Sequence, residues 1–127
     1  MIRQQFYVEH YWKVVVYYNV DYRFFNLLAD EMRNVGASDM TIKKIWGEMS
    51  GRKAKAVTYS HLLKRVSIVL FNKHSSKTDY LNSLVHEAEH IKQAMLEAYG
   101  IDDSGEPPAY TIGFLVGQMY QVFNTLL

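Results

Sequence analysis

The sequence predicts an α+β fold, in which a small, mainly antiparallel sheet packs against helices. Residues 6–20 and 64–72 show the alternating or densely apolar pattern of β-strands, whereas apolar residues recur at helical spacing over 79–99 and after Pro107. The hydrophobic share of 49% excludes a disordered chain. A length of 127 residues suits one core, so we expect residues 1–127 to form a single domain.

The N-terminal part carries a strand pattern. From Phe6 to Val20 the residues alternate between two faces, which predicts one long strand or two strands joined by a bend. His10 falls in the more apolar register, so we expect it in the core or at its rim.

Two helices are predicted next. Asp21 can cap the first helix and Gly36 can end it. The second is expected to open at Ser38 or Asp39 and to run through residue 49, with Trp46 as a core anchor.

Two further strands are predicted over 54–59 and 64–72. The second is so rich in apolar residues that we expect it to be central or well covered. His61 and His74 are predicted to lie in loops, from which either could approach a site on a neighbouring helix.

The following helix carries the clearest chemistry. Its apolar residues recur every three or four positions, Thr78 or Asp79 can cap its start, and Gly100 can end it. The helix contains the motif His-Glu-x-x-His over residues 86–90. The apolar stripe of this helix is centred near Leu84, on the side opposite the motif. The motif is therefore expected to face away from the main core.

This motif predicts a Zn²⁺ site. Residues four apart lie one turn above each other on a helix, so His86 and His90 can bind one ion through neutral imidazole nitrogens. Glu87 lies beside them, where it can take a proton from a water that the metal activates.

The chain after Pro107 carries no charged residue. Polar residues interrupt its apolar run, which favours a helix buried in the core over a membrane anchor. Pro107 and Pro108 suit the first turn of that helix. Gly113 and Gly117 are four residues apart and predict a flat strip on this helix. The helix that carries the motif of residues 86–90 is expected to pack closely against that strip.

A catalytic zinc needs a third protein ligand. Glu106, 16 residues after His90 and at the start of the next helix, is the best candidate, and Asp102 and Asp103 are alternatives. An acid at a helix start is also favoured by the helix dipole alone, so an ordinary structural role for Glu106 stays open.

Residues 85–90, which follow an apolar strand, resemble the motif of the zincin metallopeptidases. Residues 105–110 resemble the gluzincin arrangement, in which a later helix supplies a glutamate ligand. The small size is similar to that of compact metallopeptidase-like proteins of prophages and mobile elements. The resemblance does not extend to residues 1–60, and Glu89 departs from the smaller residue common at that position.

The resemblance implies zinc-dependent hydrolysis of a peptide bond in a zincin-like fold. His86, His90 and Glu106 would be the metal ligands, and Glu87 would be the general base. Tyr110 is either a donor to the oxyanion or a packing residue. The implied partner is a peptide or protein substrate.

The composition limits the kinds of site, the location and the function that the chain can have. The absence of cysteine excludes disulfides and thiolate metal sites, and the N-terminus lacks the apolar run of a signal peptide, so a cytoplasmic location is expected. Residues 40–78 hold nine basic residues and one acid, whereas residues 79–127 hold seven acids and one base. The basic segment supports an alternative function, a non-catalytic module that binds nucleic acid or a protein and retains a structural metal.

Overall fold

The computed structural model describes residues 1–126 and has the expected α+β class. Within those residues it contains four strands, four α-helices and a 3₁₀ turn over Tyr22–Phe24. The elements follow in the order β1 (Ile2–Val8), β2 (Trp12–Tyr18), α1 (Phe25–Asn34), α2 (Asp39–Ser50), β3 (Ala56–His61), β4 (Val66–Phe71), α3 (Lys77–Tyr99) and α4 (Glu106–Phe123).

The four strands form one mostly antiparallel sheet in the order β1-β2-β4-β3. The pairs β1–β2 and β3–β4 are antiparallel, and the central pair β2–β4 is parallel. All six residues of β4 are buried, which confirms its predicted central place, whereas all six residues of β3 are only half-buried. The strand β3 therefore forms an edge of the sheet.

Helices cover both faces of the sheet because the central strands are apolar on both sides. Trp12, Val14 and Val16 join the core under α3 and α4. Val15 and Tyr17, from the same strand, join a second core under α1 and α2. Successive side chains of a strand point to opposite faces, so the alternation read from the sequence gives rise to two cores.

A tight turn interrupts the predicted strand over 6–20. Glu9 and His10 both adopt positive φ, at 51° and 66°, and the amide of Tyr11 bonds to the carbonyl of Val8 at 3.1 Å. Two strands joined by a bend was the correct alternative, although β1 starts earlier, at Ile2. The expectation of a core position for His10 was wrong, because the residue lies exposed at the turn.

Helix caps match the predictions in part. Ser38 caps α2 as expected, and Gly100 ends α3 with a left-handed φ of 65°. The cap of α3 is neither Thr78 nor Asp79 but Ser76, whose hydroxyl accepts a hydrogen bond from the Asp79 amide at 3.1 Å.

Trp46 is not the core anchor that its size predicts. Its side chain packs edge-on against Phe25, with ring centroids 4.8 Å apart, yet the residue is 42% exposed. It covers the rim of the core under α1 and α2 and does not fill its centre.

The helix α4 is less buried than its sequence predicts. Its inward face carries Leu115, Met119 and Phe123, all at 0% exposure, whereas Phe114 and Tyr120 are exposed. Gly113 and Gly117 do not face α3 either: no other part of the described chain lies within 4 Å of the positions that their Cβ atoms would take. No helix within residues 1–126 is long and apolar enough to cross a membrane.

Candidate metal centre

The histidines of the motif lie together on the exposed side of α3. Both His86 and His90 are exposed, and their rings meet edge to face with centroids 4.7 Å apart. The Nε2 atom of His90 is 3.1 Å from the Nε2 atom of His86. The two nitrogens thus converge on one point, away from the core, as the helical periodicity predicts.

This spacing fits a shared zinc ion. Two nitrogens at about 2.0–2.1 Å from a tetrahedral zinc lie roughly 3.3 Å apart, close to the observed separation. Potential ligand atoms of His86, Glu87 and His90 all lie within 4.8 Å of one another, and no other such group of three occurs in residues 1–126. The distance also suits a hydrogen bond between the two imidazoles, so only metal binding itself distinguishes these arrangements.

Glu87 faces inward, towards the sheet. It is 4% exposed, and its Oε1 atom accepts a hydrogen bond of 2.9 Å from the hydroxyl of Thr58 on β3. The carboxylate is thereby fixed between helix and strand, beside the two imidazoles. No motif in the sequence singles out Thr58, because the contact joins residues 29 positions apart.

A groove of about 630 Å³ runs between α3 and the segment that leads into β3. All three motif residues, His86, Glu87 and His90, line it. The full lining is Lys53, Ala54, Lys55, Ala56, Val57, Thr58, Asp79, Asn82, Ser83, His86, Glu87 and His90. The groove therefore borders both histidines of the motif.

An ion pair joins α3 to the residue before β3 at the far end of this groove. Lys55 Nζ lies 2.6 Å from Asp79 Oδ1, in the first turn of α3. The hydrogen bond from Lys55 lowers the pKa of Asp79 below its ordinary value of 3.8. Lys53, on the same wall, makes no ion pair within the described part of the chain, so this end of the groove is positive.

A second polar cluster lies beside His90. Lys92 is buried at 7% exposure, and its ammonium contacts Glu89 at 2.8 Å and Asp103 at 3.0 Å. Hydrogen bonds from Lys92 lower the pKa of both carboxyl groups, and its own pKa is raised, chiefly by Glu89. The pairing of Lys92 with Asp103 was not predicted, because the two residues lie 11 positions apart.

The predicted third ligand lies outside the group of three. Glu106 is the first residue of α4 and is exposed. The alternatives also lie elsewhere, since Asp102 is exposed and Asp103 contacts Lys92. A metal-binding role for Glu106 therefore stays a prediction. Tyr110 is 73% exposed, so the expectation of a packing role for it was wrong.

The remaining histidines have other contacts. His74 Nδ1 donates to the carbonyl of Asn72 and Nε2 accepts from the hydroxyl of Ser83, each at 2.7 Å, so both ring nitrogens are engaged. His61 lies in β3 instead of a loop, and its ring packs against Gly36. Neither residue belongs to the group around His86.

No protein-family model, curated protein or solved structure matches this chain. The function of the site therefore has to be inferred from its own residues and distances.

Proposed function

We propose that this protein is a zinc-dependent peptidase, in which His86 and His90 bind the metal and Glu87 is the general base. The observation that carries the proposal is the convergence of the two Nε2 atoms, 3.1 Å apart, beside a buried carboxylate in an open groove. A solvated pair of histidines alone would not require that carboxylate to be held inside by Thr58.

Each residue has a defined part in this chemistry. A bound zinc would supply Lewis acidity, polarising the carbonyl of the substrate and lowering the pKa of a water. Glu87, held by Thr58 through Oε1, keeps Oε2 free to accept the proton of that water and later return it to the leaving amine. Such acid–base catalysis typically contributes about 10²–10⁴-fold to a rate.

The edge strand supports a peptide as substrate. Within the described sheet β3 pairs only with β4, so the backbone N–H and C=O groups of its outer side are available. Extended peptides bind such edges by adding a strand, and the groove beside Thr58 leads directly to the two histidines. This arrangement would bring a backbone carbonyl of the peptide to the metal.

The zincin-like fold is part of the same proposal. The motif helix α3 follows the last strand and packs against both α4 and the edge strand β3. A purely structural zinc usually has four protein ligands and no open position. The exposure of His86 and His90 to a groove of about 630 Å³ favours a catalytic site over that alternative.

The test is hydrolysis of a random peptide library by the zinc-loaded protein, with cleavage followed by mass spectrometry. Cleavage by the wild type that is absent in Glu87→Gln, and that stops when a chelator removes zinc, is the expected result. The inert variant also controls for contaminating peptidases.

Two results would speak against a peptidase. Zinc-loaded wild type that cleaves no peptide bond would favour a structural metal site. Salt-sensitive binding of DNA by the zinc-free protein would favour the binding module based on residues 40–78.

A further inference from the structure

A serine–histidine pair lies one turn before the metal-binding motif of α3. The Oγ atom of Ser83 is 2.7 Å from the Nε2 atom of His74, which belongs to the segment between β4 and α3. Ser83 precedes His86 by three residues, so about 4.5 Å of rise along the helix axis separates the two. Ser83 lines the groove that borders the motif, whereas His74 is buried and does not line it.

The hydrogen bonds of His74 decide which ring nitrogen carries the proton. Nδ1 lies 2.7 Å from the backbone carbonyl oxygen of Asn72, which can only accept, so this nitrogen carries the hydrogen. Nε2 of the neutral ring then has a lone pair, and the hydroxyl of Ser83 donates to it. Serine nucleophiles that a histidine activates use the same order of bonds, in which a third group orients the ring through Nδ1–H.

Packing holds the imidazole in this orientation. His74 is 9% exposed, and its ring stacks on that of the buried Tyr80, with centroids 4.3 Å apart. Asn72, which supplies the orienting carbonyl, is buried, and its side-chain amide donates to the carbonyls of Met49 and Ala54 at 3.0 Å each. The group that orients the ring is therefore itself held in place, as a preorganised catalytic pair requires.

The bond from Ser83 is unusual for a serine inside a helix. Such a hydroxyl commonly points to solvent or donates to the carbonyl four residues earlier, which here is that of Asp79. Within residues 1–126 the hydroxyl of Ser83 has only His74 as a hydrogen-bond partner. Ser83 is half-buried at the groove, so the pair joins a shielded base to a serine that lines a binding space.

We infer that Ser83 is a nucleophile activated by His74, and that this pair hydrolyses carboxylic esters bound in the groove. An ester suits the pair better than an amide, because an alkoxide is a better leaving group than an amine anion. Asn82 and Lys53 also line the groove, and their side chains carry N–H donors of the kind that stabilise an oxyanion. The inference goes beyond the proposed peptidase and requires neither zinc nor Glu87.

The reaction has two balanced steps. In the first, Oγ of Ser83 bonds to the carbonyl carbon of the ester while its proton passes to Nε2 of His74. The bond from that carbon to the alkoxide breaks, and the alkoxide takes the proton and leaves as an alcohol. In the second, His74 takes a proton from a water, which attacks the acyl carbon. The carboxylic acid leaves, and the proton returns to Oγ of Ser83.

A fluorophosphonate probe tests the pair without a natural substrate. Such a probe phosphonylates a serine that a neighbouring base activates, with loss of fluoride. The protein freed of metal by a chelator should take up one probe per chain on Ser83. Trypsin should release residues 78–92 as one peptide that contains no other serine, so tandem mass spectrometry locates the adduct.

Variants assign the two roles. Ser83→Ala should take up no probe. His74→Gln should react about 10²–10⁴-fold more slowly, because glutamine can accept the hydrogen bond but cannot take the proton. Ser75→Ala is the matched control, since Ser75 is exposed and lies outside the pair, and it should react like the wild type. Release of p-nitrophenol from p-nitrophenyl acetate should fall in the same order.

A second test does not depend on how well a His74 variant folds. The chain contains no cysteine, so Ser83→Cys places a single thiol beside Nε2 of His74. Ser75→Cys places one at an exposed position away from that base. Because an adjacent imidazole favours the reactive thiolate, iodoacetamide at pH 7 should alkylate Ser83→Cys about tenfold faster, although Ser75 is the more exposed position.

Three results would overturn the inference. Folded wild type that takes up no probe on Ser83 would show that this serine is not activated. Folded His74→Gln that reacts as fast as the wild type would remove His74 as the base. Alkylation of Ser83→Cys no faster than that of Ser75→Cys would leave the pair as a structural hydrogen bond. None of these results changes the zinc content of the protein, so the proposed peptidase is judged separately.

Discussion

The hydroxyl of Thr58 on the edge strand β3 donates a 2.9 Å hydrogen bond to the buried carboxylate of Glu87 on α3. This contact links the motif helix to the strand along which a peptide is proposed to bind. It engages one oxygen of the carboxylate, and Glu87 also lines the groove beside the two histidines.

Replacing Glu87 by glutamine should abolish hydrolysis and retain the metal. The amide fills the same space and can still accept a hydrogen bond from Thr58, but it cannot accept the proton of the water. Turnover and zinc content of Glu87→Gln check this. Turnover close to that of the wild type would remove Glu87 from the mechanism.

Thr58→Val should lower kcat and leave zinc content unchanged. Valine has nearly the same shape but no hydroxyl, so the carboxylate of Glu87 loses the contact that orients it. We expect a loss of about tenfold, equivalent to one ordinary hydrogen bond of roughly 1.4 kcal/mol. Thr78→Val, at an exposed position in the first turn of α3, is the control and should retain full activity.

Leu84→Ala should destabilise the fold by about 2–5 kcal/mol, because this leucine on the inner face of α3 is fully buried and its truncation leaves a cavity. Leu63→Ala, at 91% exposure, should change the free energy of unfolding by no more than about 0.5 kcal/mol. Urea unfolding of both variants measures the difference. Similar losses in the two would contradict the assigned core.

Acid should weaken the link between Lys55 and Asp79. The pKa of Asp79 is lowered in the folded protein by the hydrogen bond from Lys55, so the stabilisation is fully present above the unfolded pKa of about 3.9. It is lost as the pH falls through the lower folded pKa. The difference in the free energy of unfolding between wild type and Asp79→Asn, measured with urea, should therefore shrink towards low pH.

Lys55→Met breaks the same ion pair from the other side and should show the same trend. If the loss in free energy of unfolding relative to wild type stays constant with pH in both variants, the charges of this pair do not contribute to stability.

The local sequence predicts most of the elements but few of their contacts. The period of two correctly assigns Val14 and Val15 to opposite faces of β2, and the helical spacing correctly turns His86 and His90 outward. A bend within residues 6–20 was one of the two predicted alternatives, but its position at His10 was not predicted, because the alternation of side chains continues through it and glycine, which usually marks positive φ, is absent.

Burial in the C-terminal part depends on tertiary partners that local patterns do not contain. Phe114 and Tyr120 look like core residues by composition, yet α4 packs on the sheet and α3 through one face only. The contact of the buried Lys92 with Asp103 likewise joins the helix to the loop that follows it. For the same reason the sequence predicts the histidine pair and Glu87 but not Thr58, which belongs to a different element.

The zinc content of the purified protein tests the central claim most directly. Protein loaded with zinc and dialysed should retain about one ion per chain by elemental analysis, and His86→Ala and His90→Ala should each retain far less. His10→Asn is the control, since asparagine tolerates the positive φ of that exposed turn, and it should bind zinc like the wild type. Equal zinc in the wild type and in the variants of His86 and His90 would contradict the metal site.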